Sequence, residues 1–133
     1  MKHPALTVEL LPETFAVAQL AHDAQLPGWA KTGVLLSLTR TDTELSIVCQ
    51  ERFVPQAIKA QRGYRALRVI GPLEFSQVGV LESLAEPLAR SAISIFALST
   101  YDTDYLLVPG KDLDAALSAL SHAGHEIRKL GAA

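Results

Sequence analysis

The sequence predicts an α+β protein of two tandem ferredoxin-like modules, each a βαββαβ unit, with the first one degenerate. Three observations lead there. The second half carries strand and helix periodicities in the order β-α-β-β-α-β, the pattern of one antiparallel sheet with both helices on one face. The chain has 133 residues, 49% hydrophobic and only 20% charged, enough to bury about two-thirds of its unfolded surface without staples. Residues 35–49 also echo residues 95–109 at a spacing of 60, a length that suits one supersecondary unit. The expected division is residues 1–62 and 63–133.

The second half yields its elements in order. Residues 64–70 alternate apolar residues with arginines, a strand closed by Gly71-Pro72. From 77 to about 89, Val80, Leu81, Leu84, Ala85 and Leu88 recur at helical spacing, with Ser76 as the expected N-cap. Pro87 lies late in that helix and predicts a kink or an early end. Residues 93–99 read as a buried strand, Thr100-Tyr101-Asp102 as a turn, and 103–108 as a further strand stopped by Pro109-Gly110. Leu113, Ala116, Leu117 and Leu120 mark a second amphipathic helix, with Asp112 and Asp114 where the dipole favours acids. Gly124 suits the left-handed residue after the helix, and 126–130 closes the module.

The first half yields its elements less clearly. Residues 6–11 and 15–20 read as strands broken at Pro12, although the second also suits the start of a helix. A turn or short helix follows around Leu26-Pro27-Gly28-Trp29-Ala30, then a hairpin of 34–39 and 45–48. In the gapless echo, Leu38, Asp42, Thr43 and Val48 match Leu98, Asp102, Thr103 and Val108. Apolar strands flanking a polar turn recreate part of this in any hairpin. The Asp-Thr-acid triplet in both turns favours duplication.

Composition excludes several functions. Net charge is −2 and no basic stripe forms, so a nucleic-acid surface is not expected. A single cysteine, Cys49, excludes an internal disulfide or thiolate cluster and suits a reducing compartment. It reads as a small buried hydrophobe, without a histidine partner. The start, Met1-Lys2-His3-Pro4, meets Glu9 before any long apolar run, and the longest apolar stretches are strand-length. A soluble, cytoplasmic chain with no membrane contact is expected. His122 and His125 are three apart, but Gly124 separates them and no third or fourth ligand is at hand, so neither metal nor cofactor is expected.

Two segments carry candidate chemistry. The loop of 71–79 enters a helix whose free amides suit a carboxylate, with Gly79 permitting close approach. The same loop also reads as a simple chain reversal at Gly71 with a cap at Ser76. In the hairpin, Ser99, Thr100, Asp102, Thr103 and Asp104 supply hydroxyls and carboxylates that suit an ammonium group. Turn chemistry alone also explains them. Asp102 is assigned to the turn and Asp104 to the ligand or interface, with Tyr101 and Tyr105 as cover or rim.

The segment 71–109 resembles the ACT-domain family, which includes the cytosolic arginine sensors of animal TOR signalling, small bacterial ACT proteins and aspartate kinase regulatory domains. The resemblance rests on Gly79-Val80, Ala92-Ile93-Ser94-Ile95-Phe96 and the run from Ser99 to Tyr105. It covers the first half more loosely, through Leu26-Pro27-Gly28-Trp29 and the hairpin. It implies two ACT modules and an amino-acid site at an inter-module or inter-chain interface. The site residues it implies are Gly71, Leu73, Phe75, Ser76, Gln77, Val78 and Gly79 of the loop, and the hairpin run from Ser99 to Asp104 including Tyr101. Ile93, Ser94 and Ile95 join them, because this strand start lines the pocket in the sensors, although Ser94 also suits a solvent face.

The implied function is a regulatory protein binding a free amino acid, non-enzymatic and expected to be a homodimer. The alternative is a structural or adaptor module that pairs through its sheets with a partner, such as an aspartate-kinase-like enzyme, and binds no ligand. An enzyme ranks third, since no nucleophile–base pair or phosphate-binding loop is found.

Overall fold

The computed structural model describes residues 4–71 and 78–130, which form two compact units. One, the strand unit, comprises residues 13–64. The other, the helical unit, takes the residues up to 12 together with those from 65 onward. This differs from a simple cut at 62/63, because the first twelve residues group with the C-terminal part.

The helical unit builds on the first residues of β1 (Thr7–Leu20) and the last of β4 (Ala60–Val69). It adds α1 (Val80–Arg90), β5 (Phe96–Ser99), β6 (Asp104–Pro109), α2 (Leu113–His122) and β7 (Glu126–Lys129). From β4 onward the order is the expected βαββαβ. Its strands are arranged β7-β1-β4-β6-β5. In a plain βαββαβ sheet the last strand sits beside the first; here β1 stands between them, paired parallel to β7 from Thr7↔Glu126 to Leu10↔Lys129. Alternation explains the placement: Val8 and Leu10 join Leu67, Val69, Leu106 and Val108 in one core with Leu84, Leu88, Ala116 and Leu120 of the helices. Each such valine or leucine side chain contributes about 2 kcal/mol through burial.

Helix α1 begins at Val80, with Gly79 in the N-cap position at φ +82° and no side-chain cap. A side chain there would be strained. The expected cap, Ser76, lies outside the described residues, as do Leu73, Phe75 and Gln77. Nor does Pro87 end the helix, which runs on to Arg90. A proline at 87 leaves the carbonyl of Ser83 without its helical donor. The Nε2 of His125 takes that carbonyl at 2.9 Å, and the Nδ1 of the same ring accepts the Leu6 amide at 3.1 Å. His125 is only 5% exposed. Helix α2 and the left-handed Gly124 (φ +98°) follow the sequence pattern.

In the strand unit, the later residues of β1 pair antiparallel with β3 (Leu45–Gln50), from Phe15↔Gln50 to Leu20↔Leu45. Strand β2 (Ser37–Arg40) pairs with β3. Ala16, Ala18, Leu45, Ile47 and Cys49 form the core, with Trp29 and Phe53 packed against it. Among the described residues this unit holds no α-helix, only a 3-10 turn at Glu51–Phe53, so the helices of a second full βαββαβ module are missing from it. The expected break at Pro12 is also absent, because β1 is continuous. Pro12 falls between Leu10, the last residue paired to β7, and Phe15, the first paired to β3, where its missing N–H matters least.

The two hairpins share one turn chemistry, at a spacing that corrects the sequence alignment. Thr41 N donates to Glu44 O, and Thr100 N to Thr103 O, both at 2.8 Å. In each turn the threonine hydroxyl also accepts the amide three residues on, at 3.1 Å for Glu44 and 3.2 Å for Thr103. Thr41 and Thr100 are 59 residues apart, as are the closing pairs Arg40↔Leu45 and Ser99↔Asp104. Burial agrees, since Ile47 and Cys49 face one core as Leu106 and Val108 face the other. A shift of one residue would turn every side chain to the opposite face. Asp42 and Asp102 therefore do not hold equivalent positions: Asp42 is second in its turn and Asp102 third.

Candidate functional site

The turn between β5 and β6 is built by threonines. Besides the bonds given above, the Thr100 hydroxyl lies 3.1 Å from the Thr103 carbonyl. The buried Thr103 hydroxyl donates to the carbonyl of Val69 at 2.7 Å, fastening the turn to the end of β4. That tie fixes where the chain leaves β4 through Ile70 and Gly71. Asp102, exposed, takes no part in closing the turn.

Beside this junction lies an open cavity of about 410 Å³, lined by Glu9, Arg68, Val69, Ile70, Gly71, Thr100, Asp102, Thr103 and Tyr105. Strand alternation puts Glu9 and Arg68 there, each between two residues whose side chains enter the core. The Arg68 guanidinium donates through Nε and Nη2 to one oxygen, Glu9 Oε1, at 2.9 and 2.8 Å. A hydrogen bond with Tyr105, then the one with Glu9, holds its pKa above the ordinary arginine value. Arg68 therefore stays a fixed cation. The cavity presents one guanidinium, two carboxylates, two threonine side chains and a phenol.

Of the residues expected from sequence, Gly71, Thr100, Asp102 and Thr103 come together here. Asp104 does not line the cavity; it accepts the Ser99 hydroxyl at 2.5 Å across the hairpin. Asp104 thus braces the hairpin, and Asp102 stands on the cavity wall. Tyr101 is 81% exposed and stands off the cavity. Val78 and Gly79 do not line it either. Ile93 is buried with its amide bonded to Leu88 O at 3.0 Å, Ser94 is exposed, and Ile95 packs partly buried on the core. That segment precedes β5, which starts only at Phe96.

Glu9 and Arg68 were not foreseen. The available signal was a charge enclosed by apolar neighbours on each strand, Val8-Glu9-Leu10 and Leu67-Arg68-Val69. Their pairing across 59 residues leaves no local trace. The other singled-out groups have structural roles. Cys49 is buried, and burial raises its thiol pKa, which suppresses thiolate chemistry. His122 bonds back to Ser118 O at 2.8 Å while His125 serves the Ser83 carbonyl, so the two imidazoles make separate contacts. Among the described residues no helix is long and apolar enough to cross a membrane.

A family model described as the ACT domain matches residues 59–122, and a second, described as an N-terminal domain, matches residues 13–57. A crystal structure of an Agrobacterium tumefaciens protein is similar over nearly the whole length, with TM-score 0.92 and 35% identity, covering 97% of this chain and 96% of that one. The human cytosolic arginine sensor for mTORC1 subunit 1 is 34% identical over 58 residues, which are 43% of this chain. The chain spans only 18% of that relative's length. The regulatory subunit of aspartate kinase from Thermus flavus shares the fold at TM-score 0.62 and 14% identity, covering 90% of this chain and 99% of that one.

Proposed function

Because the chain belongs to the ACT-domain family, we propose that it is a regulatory protein that binds a free amino acid and has no catalytic activity of its own. One observation carries this reading: Gly71, Asp102 and the Arg68–Glu9 pair line a single cavity of small-ligand size. In the proposed complex, Arg68 meets the α-carboxylate, as a guanidinium matches a carboxylate in geometry and charge. Asp102 accepts from the ammonium group, and Thr100 and Gly71 supply neighbouring polar groups. Ligand binding regulates only if one arrangement of modules or subunits binds more tightly than another.

A thermal-shift screen against the common amino acids tests this. Ligand at 100 times its dissociation constant stabilises by about 2.7 kcal/mol, a rise of several degrees for a protein this size. At least one amino acid is expected to respond, and Asp102→Ala to abolish that response without lowering the ligand-free melting point. A flat response to every amino acid at millimolar concentration would leave the adaptor reading in its place.

The protein is further proposed to form a homodimer. Among the described residues, β5 in the helical unit is bonded only to β6, and β2 in the strand unit only to β3. Such edges offer unpaired amides and carbonyls to a second copy. Sedimentation at micromolar concentration is expected to show twice the chain mass; a monomer throughout would refute pairing.

A further inference from the structure

Three neighbouring strands of the helical unit carry a row of charge on the sheet face turned away from the helices: Arg128 on β7, Glu9 on β1 and Arg68 on β4. We infer that Glu9 is an internal carboxylate holding the place of a ligand carboxylate on Arg68, and that it passes to Arg128 when a ligand takes that place. The inference rests on the reading of Arg68 as the partner of the ligand's carboxylate.

Alternation sets up the row. Val8 and Leu10 of β1, Leu67 and Val69 of β4, and Ile127 of β7 pack in the core with the helices, so Glu9, Arg68 and Arg128 face the other way. Glu9 and Arg128 are register partners in the parallel β1–β7 pair, one strand spacing of about 4.8 Å apart. Side chains on this face do meet across these two strands, since the Thr7 hydroxyl donates to Glu126 Oε1 at 3.0 Å. Glu9 thus stands between two guanidiniums and is bonded to one of them.

Its hold on Arg68 is of a kind that a ligand can displace. Both bonds, from Nε at 2.9 Å and Nη2 at 2.8 Å, converge on the single oxygen Oε1. A carboxylate free to orient brings one oxygen to each donor and makes the stronger forked pair. The Arg68 side chain is 32% exposed and lines the cavity, so a solute reaches it. Two carboxylates at one guanidinium repel each other, which drives Glu9 off. Arg128 can receive it, being held loosely, by Glu126 Oε1 at 3.5 Å, with both side chains more than half exposed. The sheltered Glu9 is therefore not left without a cation. A carboxylate arriving in the cavity changes which neighbour Glu9 ties to β1, from β4 to β7, and ligand affinity comes to depend on Arg128, which lies outside the cavity wall.

The test is an NMR titration of the full chain with sodium acetate, at ionic strength held constant with sodium chloride, followed at the Nε–H groups of Arg68 and Arg128. Acetate carries the carboxylate alone, so the outcome does not require that any amino acid binds. Glu9→Gln is expected to bind acetate at least about tenfold more tightly than the unsubstituted chain, because the charge competing for Arg68 is gone. Arg128→Met is expected to weaken acetate about threefold with Glu9 in place and to have no effect in the Glu9→Gln background. A mere loss of positive charge would weaken acetate equally in both. Should Glu9→Gln fold poorly, the unsubstituted chain decides: saturating acetate is expected to move the Arg128 resonance together with that of Arg68. Equal acetate affinity with and without Glu9, an Arg128→Met effect of one size in both backgrounds, or a response of Arg68 with Arg128 unmoved would each overturn the exchange. So would acetate that binds neither protein. The amino-acid reading fails separately, by a flat thermal screen while acetate behaves as expected here.

Discussion

Replacing His125 with leucine is expected to lower stability by about 3 kcal/mol, and about half of that loss should vanish when Pro87 is alanine. The ring bonds two backbone groups, the partly buried Leu6 amide at Nδ1 and the buried Ser83 carbonyl at Nε2. With Nδ1 accepting, the proton belongs on Nε2, which donates. Leucine fills the volume and satisfies neither group, and each stranded group costs about 1–3 kcal/mol. The Ser83 carbonyl needs the imidazole only because residue 87 has no N–H to give it. Alanine at 87 restores that helical donor, so the carbonyl no longer depends on His125, while Leu6 still does. A double-mutant cycle read from urea midpoints should therefore show a coupling of about 1.5 kcal/mol at an unchanged m-value. Additive losses would mean that proline and histidine are independent and that the helix tolerates Pro87 for another reason.

The second large effect concerns Arg68. Arg68→Met is expected to weaken the responding amino acid about a hundredfold, the equivalent of about 2.7 kcal/mol of charge-assisted bonding. It also removes the partner of Glu9, whose side chain is only 15% exposed, so stability falls as well. The two consequences separate by a second change. Arg68→Met with Glu9→Gln relieves the stranded carboxylate and should recover most of the stability but none of the binding. Calorimetric titration of both variants reads the affinity, and thermal melts read the fold. Recovery of binding along with stability would make Arg68 a structural residue and nothing more.

The sequence made some of this legible for identifiable reasons. Leu84, Leu88, Ala116 and Leu120 lie at helical spacing, and all four are buried in one core. Both helices were found from that periodicity, because a 3.6-residue repeat of apolar side chains is local information. The turn threonines were found as polar residues between apolar strands. What escaped depends on partners far along the chain. Nothing near Pro87 announces that His125 will meet the Ser83 carbonyl, so the rule that proline ends a helix misled. Pro12 misled likewise, since whether a strand needs a donor at one position depends on which neighbours flank it there. The echo of the two hairpins was real in character, yet letter matching chose a spacing of 60 where backbone pairing sets 59. Identity at Asp42 and Asp102 outweighed the alternation of side chains that decides register. The placement of Asp102 and Asp104 has the same root, because Thr100 and Thr103 already close the turn and Ser99 bonds Asp104.

A crystal grown in an equimolar mixture of the twenty amino acids tests the central claim most directly. The account predicts density for one α-amino acid beside Gly71, its carboxylate on the Arg68 guanidinium and its nitrogen on Asp102. Density for an amino acid only elsewhere, or a cavity holding nothing but solvent at millimolar ligand, would contradict it.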